Sequence, residues 1–119
     1  MYTVNQPINF MDFRLSKHMS RERVERYMEI QMEIGFGDRF VAIVEMENKY
    51  ECLTNTGVVM VISKDTYNGK WLVITTYVGT IDKASAMFKS TGSTRLPSFI
   101  STAIIKANKK KNEKVKIGG

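Results

Sequence analysis

Residues 58–77 constrain the fold more than any other stretch of the chain. They read Val58-Val-Met-Val-Ile-Ser, then a turn over residues 65–69 ending in Asn68-Gly69, then Lys70-Trp-Leu-Val-Ile-Thr-Thr-Tyr. Both runs are rich in β-branched and aromatic residues, which suit strands, and Asn-Gly favours the positive φ angles of tight hairpins. So short a connection cannot make the crossover that parallel strands need, and the two runs must pair antiparallel. The first run is almost wholly apolar, as in a strand buried on both faces. Val59, Val61, Leu72 and Ile74 are expected in the core.

Two more strands precede this hairpin, Arg39-Phe-Val-Ala-Ile-Val-Glu-Met and Lys49-Tyr-Glu-Cys-Leu, with a turn at Asn55-Thr-Gly57. Residues 16–34 place Met19, Val24, Tyr27, Met28, Met32 and Ile34 at near-helical spacing, which predicts an amphipathic helix. Ser16 or Ser20 is its N-cap, and Gly35 closes it in the left-handed conformation. After the strands, Thr80 caps a helix over residues 81–89. Pro97 suits the first turn of a last helix, whose Ile100, Ala103, Ile104 and Ala107 form one apolar stripe. The expected fold is α+β: an N-terminal helix, a mostly antiparallel four-stranded sheet, and two C-terminal helices.

A chain of 119 residues supports one core. The expected division is a single domain over residues 1–105 and a lysine-rich tail over residues 106–119. No apolar run approaches the roughly 20 residues of a membrane span, and the start MYTVNQPINF lacks the features of a signal peptide. A cytoplasmic protein without membrane contact is expected. One cysteine and one histidine exclude an internal disulfide and a structural zinc site. No carboxylate cluster with a suggestive spacing appears, so no metal and no cofactor is expected.

Charge is the next constraint, because it is placed unevenly. Six of the eighteen basic residues and one of the twelve acids lie from Lys106 onward, a local +5 of the total +6. That leaves twelve basic and eleven acidic residues in the body. The basicity that suggests nucleic acid therefore sits in the last segment, with Lys109, Lys110 and Lys111 as candidate phosphate contacts. A solvated helix end is the competing reading of the same run. A second anion candidate is the loop Thr91-Gly-Ser-Thr-Arg-Leu-Pro, which brings Arg95 and several hydroxyls to a helix N-terminus.

His18 is the one side chain whose ordinary pKa lies near neutrality, which makes it the first candidate for moving protons. Lys17, Arg21, Arg23 and Arg26 surround it. His18 and Arg26 are eight residues apart, about two helical turns, and so share a face. Arg21 with Glu25 and Glu22 with Arg26 also make opposite-charge pairs four apart, which would support an exposed helix with no chemistry at all.

The segments Ser16-Lys-His-Met-Ser-Arg-Glu-Arg-Val-Glu-Arg26, Gly57-Val-Val-Met-Val-Ile and Leu72-Val-Ile-Thr-Thr-Tyr77 together resemble the barnase/EndoU/colicin/RelE-like group of small ribonucleases, many of them toxins or phage-encoded. In that group a helix bearing a histidine and later arginines precedes an antiparallel sheet, and one strand ends in Thr-x-Tyr, as Thr75-Thr76-Tyr77 does here. The resemblance spans about residues 13–80. It departs at Glu22, where the group places its first arginine. It implies a metal-independent endoribonuclease or RNA-binding protein. His18 would be the acid/base, Arg26 with Arg23 or Lys17 would stabilise phosphorane charge, and Thr75 and Tyr77 would orient the phosphate. His18, Arg26 and Tyr77 are then expected to share one cleft. The alternative is a small phage-type inhibitor or adaptor acting by protein contact without catalysis; the protein partners expected are a host protein or a cognate inhibitor. The methionines, among them Met19, Met28, Met32, Met46, Met60 and Met87, are expected to fill core gaps.

Overall fold

The computed structural model describes residues 3–17, 24–92 and 95–118. Its centre is one six-stranded mixed sheet. The strands are β1 (Thr3–Pro7), β2 (Phe13–Leu15), β3 (Arg39–Glu45), β4 (Lys49–Thr54), β5 (Val58–Tyr67) and β6 (Lys70–Val78). They lie in the order β1-β3-β4-β5-β6-β2. Every pairing is antiparallel except β2 with β6, which is parallel. Among the described residues the longer helical elements are α1 (Val24–Glu29), continued by a π-turn over Ile30–Ile34, α2 (Ile81–Ser90) and α3 (Ser98–Gly118), and a 3-10 turn over Phe10–Asp12 precedes β2. The fold is thus α+β, with a mostly antiparallel sheet followed by two helices.

The four expected strands form the middle of the sheet, and two short edge strands join them. The connection from β5 to β6 is tighter than residues 65–69, because β5 runs on to Tyr67 and only Asn68 and Gly69 turn. Both have positive φ, 53° and 74°, the combination a type I′ hairpin requires.

Burial in β6 departs from the expected alternation. Val61 pairs with Thr75 and Ile62 with Val73, so Ile74 is an extra residue with no partner opposite it. This bulge resets the pleat: Val73 is buried, Leu72 only half-buried, and Ile74 is 37 % exposed. Val58 to Ile62 are all buried, so β5 is covered on both faces. On one face Val59, Val61 and Leu53 meet Ala84, Met87 and Phe88 of α2 and Ile100 and Ile104 of α3. On the other, Val58, Met60, Ile62 and Val73 meet Ile30, Phe36, Phe40 and Ala107.

Of the expected helix over residues 16–34, the described residues show helix at Lys17, in the short α1 and in the π-turn. Residues 18–23, with Met19 and Ser20, lie outside the described residues. The Gly35 N–H donates to Ile30 O at 2.9 Å, a bond spanning five residues rather than four. Ile30 and Ile34 face inward, while Met28 and Met32 stand at 51 % and 78 % exposure, against the expectation that they fill core gaps. Met46 is likewise exposed, while Met60 and Met87 are buried. Gly35 closes the turn with φ 88° and ψ 128°, a positive φ but not the left-handed helical conformation.

The last two helices follow their sequence signals. Thr80 Oγ1 accepts the Lys83 N–H at 3.1 Å as the N-cap of α2. In α3, Ile100, Ile104 and Ala107 are buried, and the lysine segment from Lys106 continues the helix. Among the described residues no helix is long and apolar enough to cross a membrane.

Candidate nucleic-acid interface

The site begins with the way α3 crosses the end of the sheet. Gly57, with φ 87°, lies so close to α3 that an added Cβ would stand 2.8 Å from Ile104 Cγ1 and 3.1 Å from its Cα. One turn on, Asn108 Nδ2 donates to Gly79 O at 2.8 Å and to Ile104 O at 2.9 Å, fixing α3 to the start of the β6–α2 connection. The helix is thereby fixed in rotation. Its residues Ala103, Lys106, Ala107 and Lys110, spaced i, i+3, i+4 and i+7, line up along one side.

Opposite that side stand Ile34 and the β4–β5 turn with Asn55 and Thr56, and between them runs an open groove of about 220 Å³. Its floor is Ile34, Ala103 and Ala107, and its rim is Lys106, Lys110, Asn55 and Thr56. Three side chains hold the walls at their spacing. Lys110 Nζ donates to Glu33 O at 3.0 Å, Thr56 Oγ1 donates to Gly35 O at 2.8 Å, and Asn55 Nδ2 donates to Asp38 Oδ1 at 2.9 Å. The Asp38 N–H returns a bond to Asn55 Oδ1 at 3.1 Å. Asp38 also faces Arg39 at 3.5 Å, so its carboxylate has a cation beside it.

Of the residues proposed from sequence to touch nucleic acid, Lys109 and Lys110 are exposed on α3 near this groove. Lys111 follows in the same helix. Lys106 joins Lys110 on the rim, and only the fold brings it there. Lys17 is exposed just after β2, and Arg95 is exposed in the loop ahead of α3. His18, Arg21 and Arg23 lie outside the described residues. Arg26 belongs to α1, the helix that runs into the inward-facing Ile30 and Ile34.

Thr75 and Tyr77 sit on the other face of the sheet. Tyr77 packs with the cluster under α2, whereas Ile30 and Ile34 pack with the opposite cluster. The phenol has partners of its own there. Glu51 is buried in β4, and Lys83 Nζ reaches both its carboxylate oxygens, at 2.9 and 3.0 Å. Burial pushes the Tyr77 phenol up, Lys83 draws it down, Glu51 pushes it up, and the net shift is upward. Burial acts to lower the Lys83 ammonium, but its bond to Glu51 and the adjacent Tyr77 outweigh this, so it too is raised. A phosphate brought to Tyr77 would meet the Glu51 carboxylate. Sequence reasoning missed this trio, although a lone glutamate beside Cys52 and Leu53 was its visible signal.

Cys52, buried on the groove-side face, has its thiol pushed up to about 12 by burial and then by Glu51, which makes it a poor nucleophile. Among the described residues no group of three or more His, Cys, Asp or Glu could hold a metal ion. Among the described residues the groove lining contains no histidine, cysteine or carboxylate side chain. What the arrangement offers is cationic donors over an apolar floor. No family model, no curated protein and no solved structure matches the chain.

Proposed function

We propose that this protein binds RNA as a single strand along the lysine-bearing side of α3. The observation that carries the reading is the placement of Lys106 and Lys110 on the rim of one groove, with Lys109 exposed beside them, in a chain whose body is otherwise nearly neutral. Cationic side chains that track a backbone, with apolar surface for sugars or bases between them, are the ordinary means of holding a single strand. A groove this small suits unpaired nucleotides rather than a duplex. Among the described residues the groove presents lysine, asparagine, threonine and apolar side chains, a set suited to holding a strand, and the reading is therefore of binding.

The test is fluorescence anisotropy with a labelled oligouridine at 50 to 300 mM salt. Binding should weaken with salt, and Lys106→Gln, Lys109→Gln and Lys110→Gln together should flatten the log–log slope by about 2, at roughly 0.7 per lost phosphate contact. An unchanged slope in that triple variant would remove α3 from the interface. Incubating the same RNA in EDTA tests the ribonuclease that the sequence resemblance implies: cleavage that disappears in His18→Ala would add catalysis to binding. A second reading, contact with another protein, is favoured by the exposed Met28 and Met32, since methionines adapt to varied partner surfaces. Failure to bind RNA at low salt would leave that reading in place.

A further inference from the structure

We infer that the groove between α3 and the β4–β5 turn is a subsite for one nucleotide unit. Lys106 and Lys110 hold its phosphate, and Ile34, Ala103 and Ala107 support its sugar or base. The inference rests on the RNA-binding reading and narrows it to a particular ligand and place. The Val58 N–H donates to Thr54 Oγ1 at 3.1 Å, and Thr56 Oγ1 gives its proton to Gly35 O. The hydrogen bond between the two threonine hydroxyls, 3.1 Å long, must then run from Thr54 to Thr56. The Thr56 hydroxyl thus has no proton left for a ligand.

The remaining polar groups are mainly donors. Lys110 has spent one of its three N–H bonds on Glu33 O, so its ammonium is tethered at the rim with two to offer. Asn55 has spent one amide N–H on Asp38 and keeps another. Lys106 adds a second ammonium one helical turn from the first. Two cations and an amide donor over an apolar floor complement an anion rich in acceptors that carries a less polar body. A cation would meet two ammonium groups. The volume, about 220 Å³, falls below the roughly 300–1,000 Å³ of pockets for larger ligands and suits a single unit. A phosphate on a nucleoside has this chemistry, whether free or as one link of a strand. Since the Thr56 hydroxyl proton and the Asn55 carboxamide oxygen are engaged within the protein, a single amide N–H is left to read base edges, and the subsite takes the unit with small base preference.

The experiment is an amide NMR titration of the full chain with uridine monophosphate, inorganic phosphate and uridine in separate arms, beside the oligouridine of the anisotropy assay. Uridine monophosphate should move the amides of Asn55, Thr56, Ala103, Lys106 and Lys110. Phosphate should move them less, and uridine least. Lys106→Gln should weaken uridine monophosphate binding about tenfold, the loss expected for one hydrogen bond to a charged group. Ala103→Leu, which fills the groove from a half-buried position, should abolish it and weaken oligouridine, whose remaining contact would be Lys109 outside the groove. Groove amides that stay still at saturating uridine monophosphate overturn the subsite, and so does undiminished binding by a folded Ala103→Leu. If oligouridine binds the wild-type chain while those amides stay still, the subsite alone falls. If oligouridine also fails to bind, the RNA-binding reading falls with it. Should Ala103→Leu not fold, the wild-type titration and Lys106→Gln decide the matter.

Discussion

The two faces of the sheet are closed in different ways. Over one lies α2, a regular helix with a side-chain N-cap, three buried residues facing the sheet, and the Lys83–Glu51 bond beneath its first turn. Over the other lies irregular chain, a π-turn whose last carbonyls are satisfied by donors from distant elements, Lys110 on Glu33 and Thr56 on Gly35. Capping within the element makes the first face self-sufficient. The second depends on its neighbours, and the groove opens where those neighbours reach across. A cover held from outside leaves room between the holder and what it holds.

The greatest test of this contrast is a change that strikes both faces at once. Gly57→Ala places a Cβ against the backbone of Ile104 at a positive φ, and α3 contributes to both cores. It should cost about 2–4 kcal/mol in urea unfolding, from backbone strain and overpacking together. A loss below about 1 kcal/mol would show that α3 shifts freely across the sheet end, and the two covers would then be independent.

Alkaline titration separates the faces. Cys52 on the groove side and Tyr77 and Lys83 on the α2 side all have raised values. In each case the unfolded chain releases its proton at lower pH than the folded chain. The stability these groups contribute is therefore whole below their unfolded values and is lost as pH rises through the folded ones. The Cys52 part of the decline begins near its unfolded value of 9.0 and runs toward about 12. The Tyr77 and Lys83 parts begin higher, at about 10 and above. Cys52→Ala should remove on the order of 2 kcal/mol of the decline by pH 11 and leave the later part intact. An unchanged curve would mean that the thiol does not sense its burial.

The smallest effect should also be the most local. Thr56→Val takes the donor from Gly35 O and breaks the hydroxyl chain to Thr54, for about 1 kcal/mol. Amide hydrogen exchange should speed up across residues 30–37 and stay unchanged in α2. Equal acceleration in α2 would erase the distinction between a self-capped cover and one held from outside.

Much of the fold was legible in the sequence, for identifiable reasons. The middle strands are dense in valine, isoleucine and aromatic residues, and the Asn68-Gly69 turn fixes their pairing, so β3 to β6 could be read directly. β1 and β2 could not, because Thr3-Val-Asn-Gln-Pro has no alternation and is a strand only by virtue of β3 beside it. The π-turn hid behind near-helical spacing, since one added residue in a turn barely alters a count of apolar positions. The bulge at Ile74 was invisible for the same reason, and it moved burial from Leu72 and Ile74 to Val73. Of the site, Lys109 and Lys110 were legible as charge. The groove itself needed Ile34, Asn55 and Thr56 brought opposite α3 by contacts some fifty to seventy residues apart in the chain.

The edges of the sheet carry a consequence for the protein in a crowded, concentrated setting. Its outermost strands are β1 and β2, five and three residues long, and β1 ends in Pro7, which has no N–H to give. A neighbouring chain adding itself to either side would find few backbone groups to pair with. The long apolar strands that would make strong templates for fibres, β5 above all, lie in the interior of the order. The least regular part of the sheet is thus what shields the most aggregation-prone part from other copies of the chain.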